Sequence, residues 1–454
     1  MAADSGTSAA RTHVSVRDVV RAWWPLALSW GLMGVEQPAI AAAIARLSDA
    51  TVHLAAYGGV VFPISLAIEA PVIMLLAAST ELSRDAASYR ALRGFTHRLG
   101  GTLTLLHALV AFTPLAELLL VGVMGVPDDV VGPARLGLMI TTPWTWAIAW
   151  RRFNQGVLIR FGRSSAVSRG TGLRLAVAAA ILGGGLVHGG VPGVVVGCTA
   201  LSAGVIVEAV YAAAVVRSVV RGPLAAAEGS PVLSGRAFAA FFVPLALMPL
   251  VTLVIQPIGS SAIGRMPEAL DSLAVWPVIM AVAFVLQAVG IAFNEVVVAL
   301  IRRPGARASL QRFAVILGTG TTGVLVIMAL TPLADLWMSN VAGLSAPLSA
   351  VAAGALWLVI PIPGCRAVQS WYQGQMVVAR RTRPITEAVL VFFAVCVATL
   401  GVGVALQWRG LEVALVGFSV GRVSQTLWLA YRARTTVAPS QAEAVEAGAS
   451  SAPV

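Results

Sequence analysis

The chain contains no lysine, so all 31 of its basic residues are arginines. The phosphate loop of an ATP-driven pump ends in Gly-Lys, which excludes that loop here and makes any transport secondary or facilitated. Charge is scarce as well. Only 11% of residues are charged and 58% are hydrophobic, with a mean hydropathy of +0.86, whereas a soluble domain carries about one quarter charged residues. That excludes a soluble globular protein and points to an integral membrane protein. Cysteine is nearly absent. Cys198, Cys365 and Cys396 sit singly in apolar runs without a CxxC, so neither a disulfide framework nor a zinc site is indicated, and no cofactor is implied. The arginine bias, with abundant Ala, Val and Gly, points to a GC-rich bacterial genome.

What the chain does have is a repeat. Trp23 to Tyr57 holds Pro25-Leu26-Ala27-Leu28, Glu36-Gln37-Pro38, Ala43-Ile44-Ala45-Arg46 and Leu54-Ala55-Ala56-Tyr57. The same order returns 219 residues later as Pro244-Leu245-Ala246-Leu247, Gln256-Pro257, Ala262-Ile263-Gly264-Arg265 and Leu273-Ala274-Val275-Trp276, with 13 identities in 33 ungapped positions. After one deletion Thr113 to Leu118 recurs as Thr331 to Leu336, and Gln155-Gly156 pairs with Gln373-Gly374. After a second deletion Gly204 pairs with Gly421. Two copies of one unit follow.

Apolar runs long enough to cross a ~30 Å hydrocarbon core fall at 23–46, 53–79, 94–113, 132–159, 171–189 and 193–216. The second copy gives 237–264, 273–300, 312–331, 345–378, 385–406 and 411–431. The expected fold is an all-α integral membrane protein of twelve transmembrane helices in two parallel six-helix repeats. Its parts are a tail over 1–22, bundles over 23–217 and 237–434, a linker over 218–236 containing Gly222-Pro223 and Gly229-Ser230-Pro231, and a disordered tail over 435–454. The first tail is too long and too charged to be the short n-region of a cleaved signal. Arginine sets the orientation. With both termini cytoplasmic, inner loops carry Arg84, Arg90, Arg93, Arg98, Arg160, Arg163, Arg169, Arg217, Arg221, Arg236, Arg302, Arg303, Arg307, Arg312, Arg380, Arg381 and Arg383. Outer loops collect Asp49, Asp128, Asp129, Glu268 and Asp335. The net charge of +11 is therefore topological and does not indicate a nucleic-acid partner.

Two parallel repeats, each with a proline midway along its first helix and a long helix ending in Gln-Gly before a basic loop, resemble the MATE and lipid-flippase (MOP) transporter superfamily. Within it the sequence is most similar to the progressive ankylosis family, through Pro-Leu-Ala-Leu, Glu36-Gln37, Leu54 to Gly58, Ile148-Ala149-Trp150 and Pro361-Ile362-Pro363 with Arg366. The rival twelve-helix major facilitator fold needs a Gly-x-x-x-Asp-Arg-x-Gly-Arg-Arg loop. Here Ser79 to Arg93 has Arg84-Asp85 reversed and lacks the glycines.

Polar groups far from helix ends carry a membrane protein's chemistry, because charge there is costly. Glu36 lies about 22 Å from Arg21 and about 15 Å from Arg46 along a helix, with Pro38 beside it to free a carbonyl. It reads as a proton or cation switch, against a structural tie to a neighbouring arginine. Glu69 and Glu208 are further mid-depth acids that serve coupling or structure. Gln37 and Gln256, beside Pro38 and Pro257, are either interhelical glue or substrate contacts. Arg366 and Arg422 sit too deep to reach water easily, while Arg151 and Arg152 line the site or form a cytoplasmic vestibule pair. The mid-depth balance is slightly positive. Trp144, Trp146, Trp150 and Trp371 read as packing rather than cavity walls, and His107 as a satisfied core histidine.

The resemblance and the arginines imply a rocking-bundle secondary transporter in the cell membrane, monomeric, exporting a small organic or phosphate-containing anion such as citrate, pyrophosphate or a nucleotide-like molecule. The alternatives are a proton- or sodium-coupled MATE-type cation exporter, a lipid-linked precursor flippase and a scaffold subunit. The anion reading places Arg366 and Arg422 across a central space from Glu36. If either guanidinium faces lipid or packs between helices of its own bundle away from that space, the anion reading in this arrangement fails and the MATE-type cation exporter moves ahead.

Overall fold

A backbone in hydrocarbon must satisfy its own N–H and C=O groups, and helices do this throughout. The computed structural model describes residues 13–227, 235–379 and 381–436. The first twelve residues, Glu228 and the Pro231 part of the linker, Arg380 and the tail beyond residue 436 lie outside the described residues.

The described residues form twelve rods. In the first repeat these are α1 (Val16–Ile44), α2 (Ala50–Leu82), α3 (Ala86–Phe112), α4 (Asp128–Arg160), α5 (Ser164–His188) and α6 (Gly193–Arg221). The second repeat gives α7 (Gly235–Gly264), α8 (Ala269–Leu300), α9 (Ala306–Leu330), α10 (Ala346–Val378), α11 (Arg383–Leu406) and α12 (Gly410–Thr436). Eight rods are long and apolar enough to cross a membrane by composition alone; α3 with the short helix after it, bent by 88°, makes a ninth.

The helix ends repeat with the sequence. Asp49 before α2 and Glu268 before α8 both take the left-handed conformation, at φ 51° and 57°. Thr113 and Thr331 each end a helix by accepting from the N–H two residues on. A π-helical turn follows in each copy, Leu118–Val123 and Trp337–Val341, closed by Gly125 and Gly343 at φ 64° and 75°.

Three boundaries differ from the sequence reading. The helix α1 begins at Val16, inside the expected tail, because Ser15 and Asp18 form a capping box. The helix α6 runs on to Arg221, and a short helix at Pro223–Ala226 follows it, so the expected linker begins as helix. Finally, α7 begins at Gly235, inside the expected linker, and both α1 and α7 run on past Pro38 and Pro257, the two positions expected to kink them. The breaks fall elsewhere, at a π turn Ala55–Val61 and a 3-10 turn Ala70–Met74 in α2, and at a 3-10 turn Leu356–Val359 in α10.

The two repeats meet along α1, α2, α7 and α8. Gly58 and Gly59 of α2 lie so close to Pro277 and Leu273 of α8 that an added Cβ would come within 2.6 to 2.8 Å. At the N-terminal face each repeat's first helix crosses to the other bundle. Trp23 of α1 packs on Phe313 and donates to the Val289 carbonyl at 2.8 Å, while Phe238 and Phe242 of α7 pack edge-on against Phe95 of α3.

Candidate functional site

The first bundle holds a buried charge network drawn from four helices. Glu208 on α6 is its centre. One carboxylate oxygen accepts from Arg151 of α4 at 2.6 Å and lies 3.7 Å from Arg174 of α5. The other oxygen accepts from Gln155 at 2.9 Å and Thr171 at 3.1 Å. Arg174 also meets Glu36 of α1 at 3.2 Å. Glu36, Arg151, Arg174 and Glu208 are each at most 8% exposed, which makes the pairing obligatory, since a lone charge at such a site is costly.

Glu69 ends the helical turn just before the 3-10 break in α2 and is buried, with Oε2 unpartnered among the described residues. Arg151 and Arg152 are the charges that act on it. Arg152 has no ion pair among the described residues and an unpartnered Nε. Three acids (Glu36, Glu69, Glu208) and three arginines (Arg151, Arg152, Arg174) are gathered here, of which Glu36, Glu208, Arg151 and Arg174 are ion-paired.

The second bundle is built differently at the matching depth. Gln369 of α10 donates to Gln425 Oε1 at 3.3 Å and to Thr426 Oγ1 at 2.9 Å on α12. Arg422 donates to the same Gln425 oxygen at 3.0 Å and lies 4.4 Å over the Phe392 ring of α11. Arg366 packs its stem against Gly290 of α8, and among the described residues its Nε has no partner. Among the described residues Gln369 Oε1 and Ser370 Oγ are likewise buried without partners.

This corrects the expectation that Glu36 faces Arg366 and Arg422 across a central space. Glu36 is paired within its own bundle, and both guanidiniums lie inside theirs. Two cavities, of 660 and 490 Å³, lie on the second bundle, around Trp357, Arg409 and Glu412, and around Trp408 and Val413.

The remaining candidates are placed as follows. Gln37 accepts from the Tyr57 hydroxyl at 3.0 Å, an interhelical contact between α1 and α2. Gln256 is half-buried on α7, its backbone carbonyl accepting from Ser260. His107 is held by Thr145 at 2.8 Å. Trp146 and Trp150 stack with His97, so they pack as expected. Sequence reasoning missed Arg174. The available signal was an arginine flanked by Leu173 and Leu175 in an apolar run, about 15 Å past the start of α5 at Ser164.

No protein-family model matches the sequence, and no curated relative matches it. Solved structures do match. An inward-facing multidrug resistance MATE family transporter of the MOP superfamily superposes with TM-score 0.68 over 90% of this chain and 97% of its own, at 14% identity. A Pyrococcus furiosus MOP superfamily transporter, described by a reversed polarity of its binding pocket, gives 0.63 at 14% identity over 95% and 98%. The chain has the MOP transporter fold. The lipid II flippase MurJ, in an inward closed conformation, shares that fold at TM-score 0.62, 11% identity and coverage of 88% and 87%. In this chain the two bundles differ in that the first holds ion-paired arginines and the second, among the described residues, arginines without an ion pair at the matching depth.

Proposed function

We propose that the protein is a secondary transporter that exports a small anion, held inside the second bundle by Arg366 and Arg422 with Gln369, Gln425 and Thr426. One observation carries this reading: Arg366 and Arg422, both half-buried, form no ion pair with a carboxylate among the described residues, and Arg366 keeps a buried Nε without a partner there. A guanidinium in that setting needs an anion, and its fork suits carboxylate or phosphate oxygens. Citrate, pyrophosphate and nucleotide-like molecules fit that chemistry and the progressive ankylosis resemblance. In the Pyrococcus furiosus neighbour, reversed pocket polarity suggested a different function.

In this reading the first bundle is the coupling half. Glu36, Glu69 and Glu208 exchange a proton or cation, with Arg174 and Arg151 as resident counter-charges, and the bundles at 23–217 and 237–434 rock about the linker. The protein sits in the cell membrane as a monomer, with both termini and the linker cytoplasmic. Labelling of Asp128→Cys from the cytoplasmic side alone contradicts that topology.

A second reading, proton- or sodium-coupled cation export, is favoured by the placement of Arg366 and Arg422 within their own bundle rather than opposite Glu36. Counterflow in proteoliposomes, with labelled citrate, pyrophosphate and a lipophilic cation in parallel, separates the two. Exchange of an anion alone supports the first reading; exchange of the lipophilic cation alone supports the second.

A further inference from the structure

At the face opposite the N terminus, two π-helical turns leave carbonyls without backbone partners. In the first repeat the N–H groups of Met124, Gly125 and Val126 turn back to Leu119, Val121 and Leu120, and Pro127 has none to give, so the carbonyls of Gly122 and Val123 are passed over. In the second repeat Ala342 and Leu344 donate to Trp337 and Met338, which passes over Asn340 and Val341. A helix C-terminus with open carbonyls is a negative pole.

Each pole is met by an arginine of the other repeat. Arg46, just past α1, donates to the Asn340 and Val341 carbonyls at 2.5 and 3.1 Å. Arg265, just past α7, donates to the Gly122 and Val123 carbonyls at 3.3 and 2.5 Å. Arg46 and Arg265 are the same position of the repeat, as are Gly125 and Gly343. Those glycines seat the arms: an added Cβ on Gly343 would lie 2.5 Å from the Arg46 Nη1, and one on Gly125 would lie 2.8 Å from the Arg265 stem. Gly264 has Met124 and Gly125 carbonyl oxygens within 2.7 Å of where its Cβ would be, so the turn beds directly on the α7 terminus.

We propose that Arg46 and Arg265 form a reciprocal latch that holds the two bundles together at this face and must release for the face to open. Neither arm involves the mid-depth charges, so the latch stands on the two-repeat fold; only its role as a transport gate rests on the reading above. The contacts are exposed and made to neutral carbonyls, which makes them breakable. Two equivalent arms also place the closing force on both sides of the repeat axis. Removing one arm raises the open share about tenfold, the scale of a lost hydrogen bond to a charged group.

The test is a spin-label distance measurement on the full chain in lipid nanodiscs, with Cys198, Cys365 and Cys396 changed to Ala. Labels at Asp128→Cys and Ser345→Cys, both exposed, report across the bundles; labels at Asp128→Cys and His188→Cys report within the first. R46A/R265A is expected to add a longer between-bundle distance while the within-bundle distance stays fixed, and R46K/R265K to fall between. An unchanged between-bundle distribution overturns the latch. So does lengthening of both distances, which would make the arginines staples of each bundle. Because no substrate enters the measurement, failure of the latch and failure of the anion reading are told apart.

Discussion

Position for position, the two bundles share a frame and differ in charge. Arg151, Arg174 and Glu208 of the first correspond to Gln369, Phe392 and Gln425 of the second, and Glu36 corresponds to Ile255. The frame itself is kept. Gly204 lies against Arg174 and Ala178, while its equivalent Gly421 lies against Phe392 and Cys396. The contact between α4 and α6 is an ion pair in the first bundle, Arg151 with Glu208 at 2.6 Å, and an amide pair in the second, Gln369 with Gln425 at 3.3 Å. Conversely, Ile148 and Val205 become Arg366 and Arg422. The first interior carries its own counter-ions, whereas the second has traded them for neutral hydrogen-bonding groups and kept two cations. The same scaffold can therefore house a self-compensated relay on one side and an anion seat on the other.

The largest effect comes from breaking the first bundle's compensation. Glu208→Leu strands Arg151, leaves Arg174 with Glu36 alone, and is expected to cost about 3–5 kcal/mol, seen as a large loss of thermal stability in detergent. The equivalent Gln425→Leu removes a neutral acceptor shared by Gln369 and Arg422 and is expected to cost less, about 1.5–3 kcal/mol. Equal losses would mean that the two frames are held together in the same way. Next, Arg366→Ala and Arg422→Ala are each expected to abolish anion counterflow while leaving the fold intact. Neither arginine is in an ion pair among the described residues, so ligand-free stability should change little. Normal anion transport in both variants would remove the second bundle from the account.

A smaller change sharpens the relay. Glu36→Gln keeps a hydrogen-bond acceptor for Arg174 but cannot lose a proton, so transport should persist with its pH dependence flattened. An unaltered pH profile would move coupling to Glu69 or Glu208. Smallest is Tyr57→Phe, which removes the 3.0 Å bond to Gln37 and is expected to lower stability by about 1 kcal/mol without altering transport, as befits interhelical glue.

The fold was largely legible because helix length, the repeat and the arginine distribution are local or periodic properties of a sequence. The repeat even carried its backbone specials: Asp49 and Glu268 are 219 residues apart and share one left-handed turn. The π turns were half visible, since Thr-Pro-Leu-Ala-Glu-Leu and Thr-Pro-Leu-Ala-Asp-Leu recur while the turns themselves read as loop. The mid-depth residues could be named, but not their partners. Pairing depends on helix rotation and tilt, which a depth count along each helix does not contain. Glu36 was accordingly matched with Arg366 and Arg422 when Arg174 was nearer. Arg174 was overlooked because α5 starts at Ser164 rather than near residue 171, which puts two further turns of helix beneath it.

The central claim is that the second bundle binds an anion because Arg366 and Arg422 have no carboxylate in ion-pairing reach among the described residues. Gln425→Glu supplies one in place, since Gln425 Oε1 already lies 3.0 Å from the Arg422 guanidinium, and it makes the second bundle resemble the first at the position of Glu208. Titration of citrate and of pyrophosphate into purified wild-type and Gln425→Glu protein, followed by calorimetry, is the direct measurement. Wild-type protein is expected to bind at least one of them, and Gln425→Glu to lose that binding while melting at or above the wild-type temperature. Equal anion binding by both proteins, or binding of a lipophilic cation and no anion by the wild type, would contradict the account.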